Sequence, residues 1–168
     1  ESSEILVSLK NDIEKELGIS LEVLSGGNSS IWRLIEEKAL PDEINQVRIG
    51  EAILFGHETA GYSPIQGAFQ NNFQLEASII EVKKKNNIPY RFIIAIGVQD
   101  VDMDNMHCIL PGVSITKQSS DHTILELDPE NTNNDREKDF LNSVVGGIIP
   151  FNLNYFGLLS CMASPYLK

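Results

Sequence analysis

Cysteine, basic residues and long apolar runs are all scarce in this sequence of 168 residues. Only Cys108 and Cys161 are present, and no Cys/His spacing is typical of a zinc site, so we expect no bound metal ion. A protein with so few cysteines is typical of a reducing compartment, and we therefore expect it in the cytoplasm. The 13 Lys and Arg residues face 24 Asp and Glu, and this net charge of −11 argues against nucleic acid and anionic lipid as partners. Because no apolar run approaches a membrane-spanning length and no signal peptide opens the sequence, we expect no membrane partner either.

The first sixty residues alternate between helix-like and strand-like patterns. Apolar residues at the helical period predict a helix that ends at Gly18. A short strand is predicted at 20–24, a helix at 31–39 and a second short strand at 45–50. This rhythm is typical of proteins with a parallel sheet, so we predict an α/β fold for residues 1–64.

The pattern of apolar and polar residues changes after residue 64. Apolar and polar residues now alternate with period two, and polar segments at 83–87 and 128–138 predict a hairpin turn and a long loop. The predicted strands are 73–79, 90–97, 113–116, 123–127, 148–155 and 158–162. We therefore predict an all-β domain over residues 65–168.

A Ser-Gly-Gly-Asn-Ser-Ser turn at residues 25–30 lies between the first predicted strand and the helix after it. A glycine–serine turn at the start of a helix offers free backbone N–H groups, hydroxyl donors and the positive end of the helix dipole, which together suit a phosphate. Ordinary helix capping explains the same residues, and taken alone this reading is slightly favoured.

Five motifs occur in collinear order, at residues 25–30, 47–60, 96–102, 119–127 and 151–167. With them the sequence resembles the carboxyl-terminal half of pyridoxal-phosphate-dependent amino-acid racemases of the alanine racemase type, most closely the ornithine racemase branch. In that family a (β/α)₈ barrel is followed by a β-domain, so the resemblance implies that residues 1–64 are the last part of such a barrel. It further implies pyridoxal 5′-phosphate as cofactor, an amino acid as substrate and a homodimer in which the partner chain completes the active site.

The resemblance assigns cofactor-binding roles to two turns. Asn28, Ser29 and Ser30 match the loop after the seventh barrel strand, which holds the cofactor phosphate. Gly50 and Glu51 match the second phosphate-binding element, after the eighth strand. The alternative for Gly50 is an ordinary glycine at the end of a strand.

Arg48 matches the arginine that faces the pyridine nitrogen of the cofactor, and we assign it a catalytic as well as a cofactor-binding role. A guanidinium keeps its proton at neutral pH, so the ring nitrogen stays unprotonated and the α-carbanion is returned to a proton rather than diverted into transamination. The alternative is a surface arginine in a salt bridge. Tyr155 matches a tyrosine that reaches the cofactor phosphate, and its alternative is a core tyrosine bonded to backbone.

Ser120 and Asp121 match a contact to the substrate carboxylate that the partner subunit supplies. Val98 stands where the family has a catalytic tyrosine, and an aliphatic side chain cannot transfer a proton. The second base must therefore lie elsewhere, or the substrate is not alanine. Asp100 and Asp102, with a third aspartate at 104, form an acidic patch that we expect to recognise the distal amine of ornithine or lysine; a solvated acidic turn, or a weak Ca²⁺ loop, is the alternative.

No lysine matches the one that binds the cofactor covalently in this family, and most of the barrel strands are missing from the sequence. We therefore expect the chain to be part of a longer enzyme and inactive alone. Alternatives are an alanine racemase, a non-catalytic β-domain that only associates with other chains, and a decarboxylase or aldolase on the same scaffold.

Overall fold

The computed structural model describes residues 2–85, 88–128 and 145–167, and it divides the chain into two compact units at Asn72/Phe73. The predicted polar loop at 128–138 falls almost wholly outside the described residues. The expected boundary at residues 64/65 lies eight residues before this division.

The first unit is mainly helical. Helix α1 spans Ser2–Leu17, α2 spans Trp32–Glu36 after a 3₁₀ turn at Ser29–Ile31, and α3 spans Glu51–Phe55. The two strands predicted at 20–24 and 45–50 are reduced to a single parallel bridge between Ser25 and Gln46. A side chain takes the place of further ladder bonds, since Asn45 accepts from the Leu24 N–H at 2.9 Å and donates to the Glu22 carbonyl at 2.7 Å.

The second unit is built on one antiparallel sheet of six strands. They are β1 (Gln74–Lys85), β2 (Ile88–Ile94), β3 (Met106–Cys108), β4 (Val113–Gln118), β5 (Thr123–Leu127) and β6 (Ile148–Leu153). Their order in the sheet is β3-β6-β1-β2-β5-β4, and the two edge strands contact each other, so the sheet is a nearly closed barrel. The prediction of a β-domain is confirmed.

Alternation along the strands explains the core of this barrel. On β1, Leu75, Ala77 and Ile79 are buried while the residues between them are exposed. In the register of the sheet Leu75 faces Phe151 and Ala77 faces Ile149 on β6. Because successive side chains of a strand point to opposite faces, one face of β1 is committed to this core.

Two predictions for this unit are wrong. The segment 158–162 is not a strand but part of helix α4 (Tyr155–Ala163). Asn154 begins the helix, because its side chain accepts a hydrogen bond from the Gly157 N–H at 2.8 Å, and a short apolar run does not by itself distinguish strand from helix. The predicted hairpin turn is also too long, since β1 continues through Lys85.

Candidate functional site

Backbone hydrogen bonds join the two turns to which phosphate binding is assigned. The Gly26 N–H donates to the Gln46 carbonyl at 2.9 Å, and the Arg48 N–H donates to the Gly27 carbonyl at 2.9 Å. Gly27 has φ +145°, and a β-carbon there would overlap the side chain of Ile31, so only glycine fits this crossing. Because residue 27 is a glycine, the first turn can lie against the second turn.

Ser29 connects the first turn to the start of α3. Its side chain is buried, and Oγ accepts hydrogen bonds from the Gly50 N–H at 3.3 Å and the Ala52 N–H at 3.1 Å. The hydroxyl proton has no acceptor among the described residues, so Ser29 can still donate it to a ligand. The Glu51 N–H, at the first helical position, has no intrahelical partner. Gly50 itself faces open space, since a β-carbon there would meet no atom within 4 Å.

The neighbours Asn28 and Ser30 have a local role in the described structure. The Asn28 side chain accepts a hydrogen bond from the Ser30 N–H at 3.0 Å, which caps the 3₁₀ turn. Both residues are exposed. The capping alternative raised from the sequence is therefore present, alongside the separate contacts of Ser29.

Arg48 is exposed, and its guanidinium makes no ion pair or hydrogen bond with any described residue. The salt-bridge alternative is thus not seen in the described part of the chain. Glu51 places a carboxylate oxygen 3.8 Å from Nε2 of His57, a buried nitrogen with no hydrogen-bond partner. The Ser25 hydroxyl, on the same turn as Ser29, is likewise buried without a partner. These unpaired polar atoms would gain from a polar ligand nearby.

One cavity of the first unit lies close to the predicted site without coinciding with the Ser29 contacts. It has a volume of about 620 Å³, shares only Ser30 with the predicted site and is lined by Trp32, Arg33, Glu58 and their neighbours. The chemistry of the turns, rather than the size of this cavity, identifies the candidate phosphate site.

In the second unit, the loop at 97–100 lies against the turn at 119–122. The Val98 N–H donates to the Ser119 carbonyl at 2.9 Å, and the Gln99 N–H donates to the Ser120 carbonyl at 3.0 Å. Gly97 makes this approach possible, because a β-carbon at that position would overlap the backbone of residues 120 and 121. The structure therefore brings Val98 next to the predicted substrate contacts, although Ser120 lies twenty-two positions further along the chain.

Asp100 and Asp102 have different surroundings, which the sequence did not distinguish. Asp100 is 3% exposed, and its two oxygens accept hydrogen bonds from the Gly97 N–H at 3.2 Å and the Ser164 hydroxyl at 2.7 Å. This carboxylate is engaged in holding the loop to the chain after α4. Asp102 is exposed and caps the next turn by accepting from the Asp104 N–H at 2.9 Å. An acidic surface patch therefore exists at Asp102 and Asp104 but does not include Asp100.

Four polar side chains gather at the turn of residues 119–122. His122 Nδ1 lies 2.8 Å from Ser119 Oγ and 3.0 Å from Asp121 Oδ1, and the Ser120 hydroxyl donates to the same Asp121 oxygen at 3.3 Å. The hydrogen bond from His122 is the largest of the effects that lower the pKa of Asp121. Asp121 is thus an ionised acceptor at neutral pH.

Tyr155 is the first residue of α4 and is half-buried, with its ring 5.9 Å from that of Phe156 in an edge-on arrangement. Its hydroxyl makes no hydrogen bond to any described residue. The alternative of a core tyrosine bonded to backbone is therefore not seen. Among the described residues no group of three or more His, Cys, Asp or Glu side chains is placed to hold a metal ion.

No family model matches the chain, but individual proteins do. Lysine racemase of Thermotoga maritima is 33% identical over 189 aligned positions, which take in 100% of this chain and 51% of that protein. Ornithine racemase of Acetoanaerobium sticklandii is 32% identical over 184 positions, covering 97% of this chain and 50% of that protein. The chain is therefore similar along its full length to fold type III racemases of the alanine racemase family. It spans about half the length of these two curated relatives.

Solved structures show the same fold. D-threonine aldolase from Filomicrobium marinum superposes with a TM-score of 0.64 at 13% identity, over 94% of this chain and 40% of that one. Alanine racemase from Oenococcus oeni gives a TM-score of 0.54 at 16% identity, over 95% of this chain and 48% of that one. At such identities the likeness concerns the fold, which is that of the fold type III family.

The two turns of the first unit fit the phosphate of a cofactor. The Ser29 hydroxyl proton and the Glu51 N–H are donors without acceptors, Gly50 leaves room beside them, and the buried Ser25 hydroxyl lacks a partner.

No described helix is long and apolar enough to cross a membrane.

Proposed function

We propose that this chain is part of a pyridoxal-phosphate-dependent racemase that interconverts the L- and D-forms of an amino acid. The observation that carries the proposal is the set of donors around Ser29 and Glu51, with the unpaired Arg48 beside them on the same pair of turns. The names of the two relatives, lysine racemase and ornithine racemase, support the same reaction.

The residues of the first unit would hold the cofactor as follows. Ser29 would donate a hydrogen bond from its hydroxyl to the phosphate, and the backbone at Gly50 and Glu51 would add the free Glu51 N–H of a helix start. Asn28 and Ser30 keep the turn in shape, and Tyr155 of the second unit is the further phosphate donor that we carry over from the family resemblance. When bound, the cofactor ring supplies a sink for the electron pair that remains after removal of the α-proton.

Arg48 sets the electronic character of that sink. Because a guanidinium does not release its proton at neutral pH, a ring nitrogen facing Arg48 accepts a hydrogen bond and remains unprotonated. A weaker sink favours return of a proton to the α-carbon over side reactions. Arg48 is suited to this role because no described residue neutralises it.

We propose a basic amino acid, ornithine or lysine, as the substrate, with alanine as the alternative. Exposed Asp102, next to Asp104, is the group that could attract a distal ammonium, whereas Asp100 is buried and bonded on both oxygens. Ser120 is the better partner for the substrate carboxylate, because Asp121 is ionised and would repel it. The negatively charged Asp121 would instead attract a cation, either an ammonium group or an imidazolium.

The proposal also includes that the protein forms a homodimer and that it is located in the cytoplasm. An apolar row on α4 supports association between chains, since Phe156, Leu159 and Met162 follow one another at every third position and are all exposed. Cys108 and Cys161 are both unpaired, which agrees with a reducing compartment.

The test is a racemase assay on the full-length protein that contains this chain. L-ornithine, L-lysine and L-alanine are incubated with the protein and pyridoxal 5′-phosphate in D₂O, and the products are separated by chiral chromatography. We expect inversion and α-deuterium with at least one basic amino acid, a large loss in Arg48→Ala and little loss in Arg33→Ala, an exposed arginine paired with Glu37 at 2.7 Å. A protein that binds no cofactor and exchanges no α-proton would refute the proposal.

A further inference from the structure

We propose that His122 is a proton-transfer residue of this racemisation. The inference rests on the proposed function and assigns the acid–base group that Val98 cannot supply. It is argued from the geometry of the turn at residues 119–122.

The hydrogen bonds of the His122 ring determine which nitrogen carries the proton. Ionised Asp121 can only accept a hydrogen bond, so the 3.0 Å contact requires a proton on Nδ1. Ser119 Oγ lies 2.8 Å from the same nitrogen and 3.1 Å from the His122 carbonyl, so its hydroxyl can donate to that carbonyl while it accepts from Nδ1. The neutral ring therefore presents its lone pair on Nε2.

Nε2 is free to react. It has no hydrogen-bond partner among the described residues, and the His122 side chain is 39% exposed. A carboxylate on Nδ1 fixes both the orientation and the tautomer of an imidazole, and it stabilises the imidazolium that forms when Nε2 takes a proton. This is the arrangement that a general base needs.

The other two histidines of the chain lack these features. His57 has its Nε2 buried, and its ring lies between those of Phe55 and Tyr62. His107 is exposed on β3 and has no carboxylate partner in the described chain. Asp100, the other carboxylate on the adjoining loop, is already bonded to Gly97 and Ser164.

The position of His122 agrees with the role. Its turn is hydrogen-bonded to the backbone of Val98 and Gln99, and it also carries Ser120, our candidate for the substrate carboxylate, two residues before His122. When one of the two enantiomers is the substrate, Nε2 takes its α-proton, and the electron pair of the broken C–H bond stays with the substrate. A group on the opposite face then donates a proton to the carbon, and the imidazolium loses its proton to water; the reverse direction runs these transfers backwards.

The first experiment compares His122→Asn with the matched variant His107→Asn in the full-length protein. Loss of a general base typically costs about 100- to 10,000-fold in rate, so we expect inversion in both directions to fall by roughly that factor. The α-proton of one enantiomer should still exchange with D₂O, because the opposite base remains, whereas exchange from the other enantiomer should be lost. A merely structural role would lower both exchanges alike.

A second measurement needs neither turnover nor cofactor. Imidazole ¹⁵N shifts of the unloaded full-length protein should report the Nδ1–H tautomer for His122, and Asp121→Ala, which removes the carboxylate acceptor, should weaken that preference. Equal exchange of both enantiomers in His122→Asn, or an Nε2–H tautomer in the wild type, would overturn the inference. If the wild-type protein itself exchanges no α-proton, the proposed function fails instead, so the two failures are distinguishable.

Discussion

Replacement of Ser29 by Ala tests the candidate phosphate site most directly. The hydroxyl accepts from the Gly50 N–H at 3.3 Å and the Ala52 N–H at 3.1 Å, and Ala52 is 2% exposed. Loss of the acceptor leaves at least the Ala52 donor buried without a partner, which costs about 1–3 kcal/mol. We therefore expect a lower free energy of unfolding even without cofactor, measured by urea denaturation of the full-length protein.

The same substitution should weaken binding of the cofactor through its phosphate. A hydrogen bond to a charged group contributes about 1.5–3 kcal/mol, which corresponds to roughly a 10- to 100-fold higher Kd. Absorbance titrations with pyridoxal 5′-phosphate and with pyridoxal, which lacks the phosphate, separate this effect from general damage. We expect Ser29→Ala to lose affinity for the first and little for the second.

Two matched variants complete the design. Ser29→Thr keeps a hydroxyl and should retain most of the preference for the phosphorylated compound, while Ser20→Ala removes an exposed hydroxyl and should change neither property. If Ser29→Ala discriminated between the two compounds as the wild type does, Ser29 would not contact phosphate. If it also unfolded at the wild-type urea concentration, the bonds to Gly50 and Ala52 would contribute nothing.

Three further perturbations follow from the geometry. Gly97→Ala should separate the loop from the turn that carries Asp121 and speed hydrogen exchange there, because the added methyl group meets backbone; unchanged exchange would contradict the packing. Thr123→Val should cost about 1–3 kcal/mol by urea denaturation, since the fully buried hydroxyl donates to the Ile96 carbonyl at 2.6 Å. Glu58 accepts backbone hydrogen bonds that lower its pKa below 4.5, so the stability it contributes is present above pH 4.5 and lost as pH falls further. Glu58→Gln should flatten the stability profile in that acid range, and an unaltered slope would refute the assignment.

The role of a site residue can be predicted from the sequence when its partners are close to it along the chain, and not when they are distant. The Ser-Gly-Gly-Asn-Ser-Ser turn was visible because capping and phosphate binding depend on adjacent residues. The separate role of Ser29 was not visible, because its partners are twenty-one and twenty-three residues further along the chain. The proposed role of His122 is not visible from the sequence either, because the type of a turn residue does not give the orientation of its ring.

The two aspartates at 100 and 102 show the same limit. Both read as members of one acidic surface turn, and local composition gave no reason to separate them. Only the folded chain brings Ser164 to Asp100, sixty-four residues away, and thereby buries that carboxylate. A signal exists in Asn154, because asparagine is common at the capping position just before a helix and so predicts a helix from residue 155.

The sequence by itself determined the β-domain, because period-two alternation commits one face of each strand to a core whatever the strand order is. It also determined the turns at Gly27 and Gly97, since a β-carbon at either position would overlap neighbouring atoms. The tertiary structure alone decided which polar side chains are free and which are already bonded. That property depends on partners distant in sequence, and a buried carboxylate or an oriented imidazole acquires its chemistry from them.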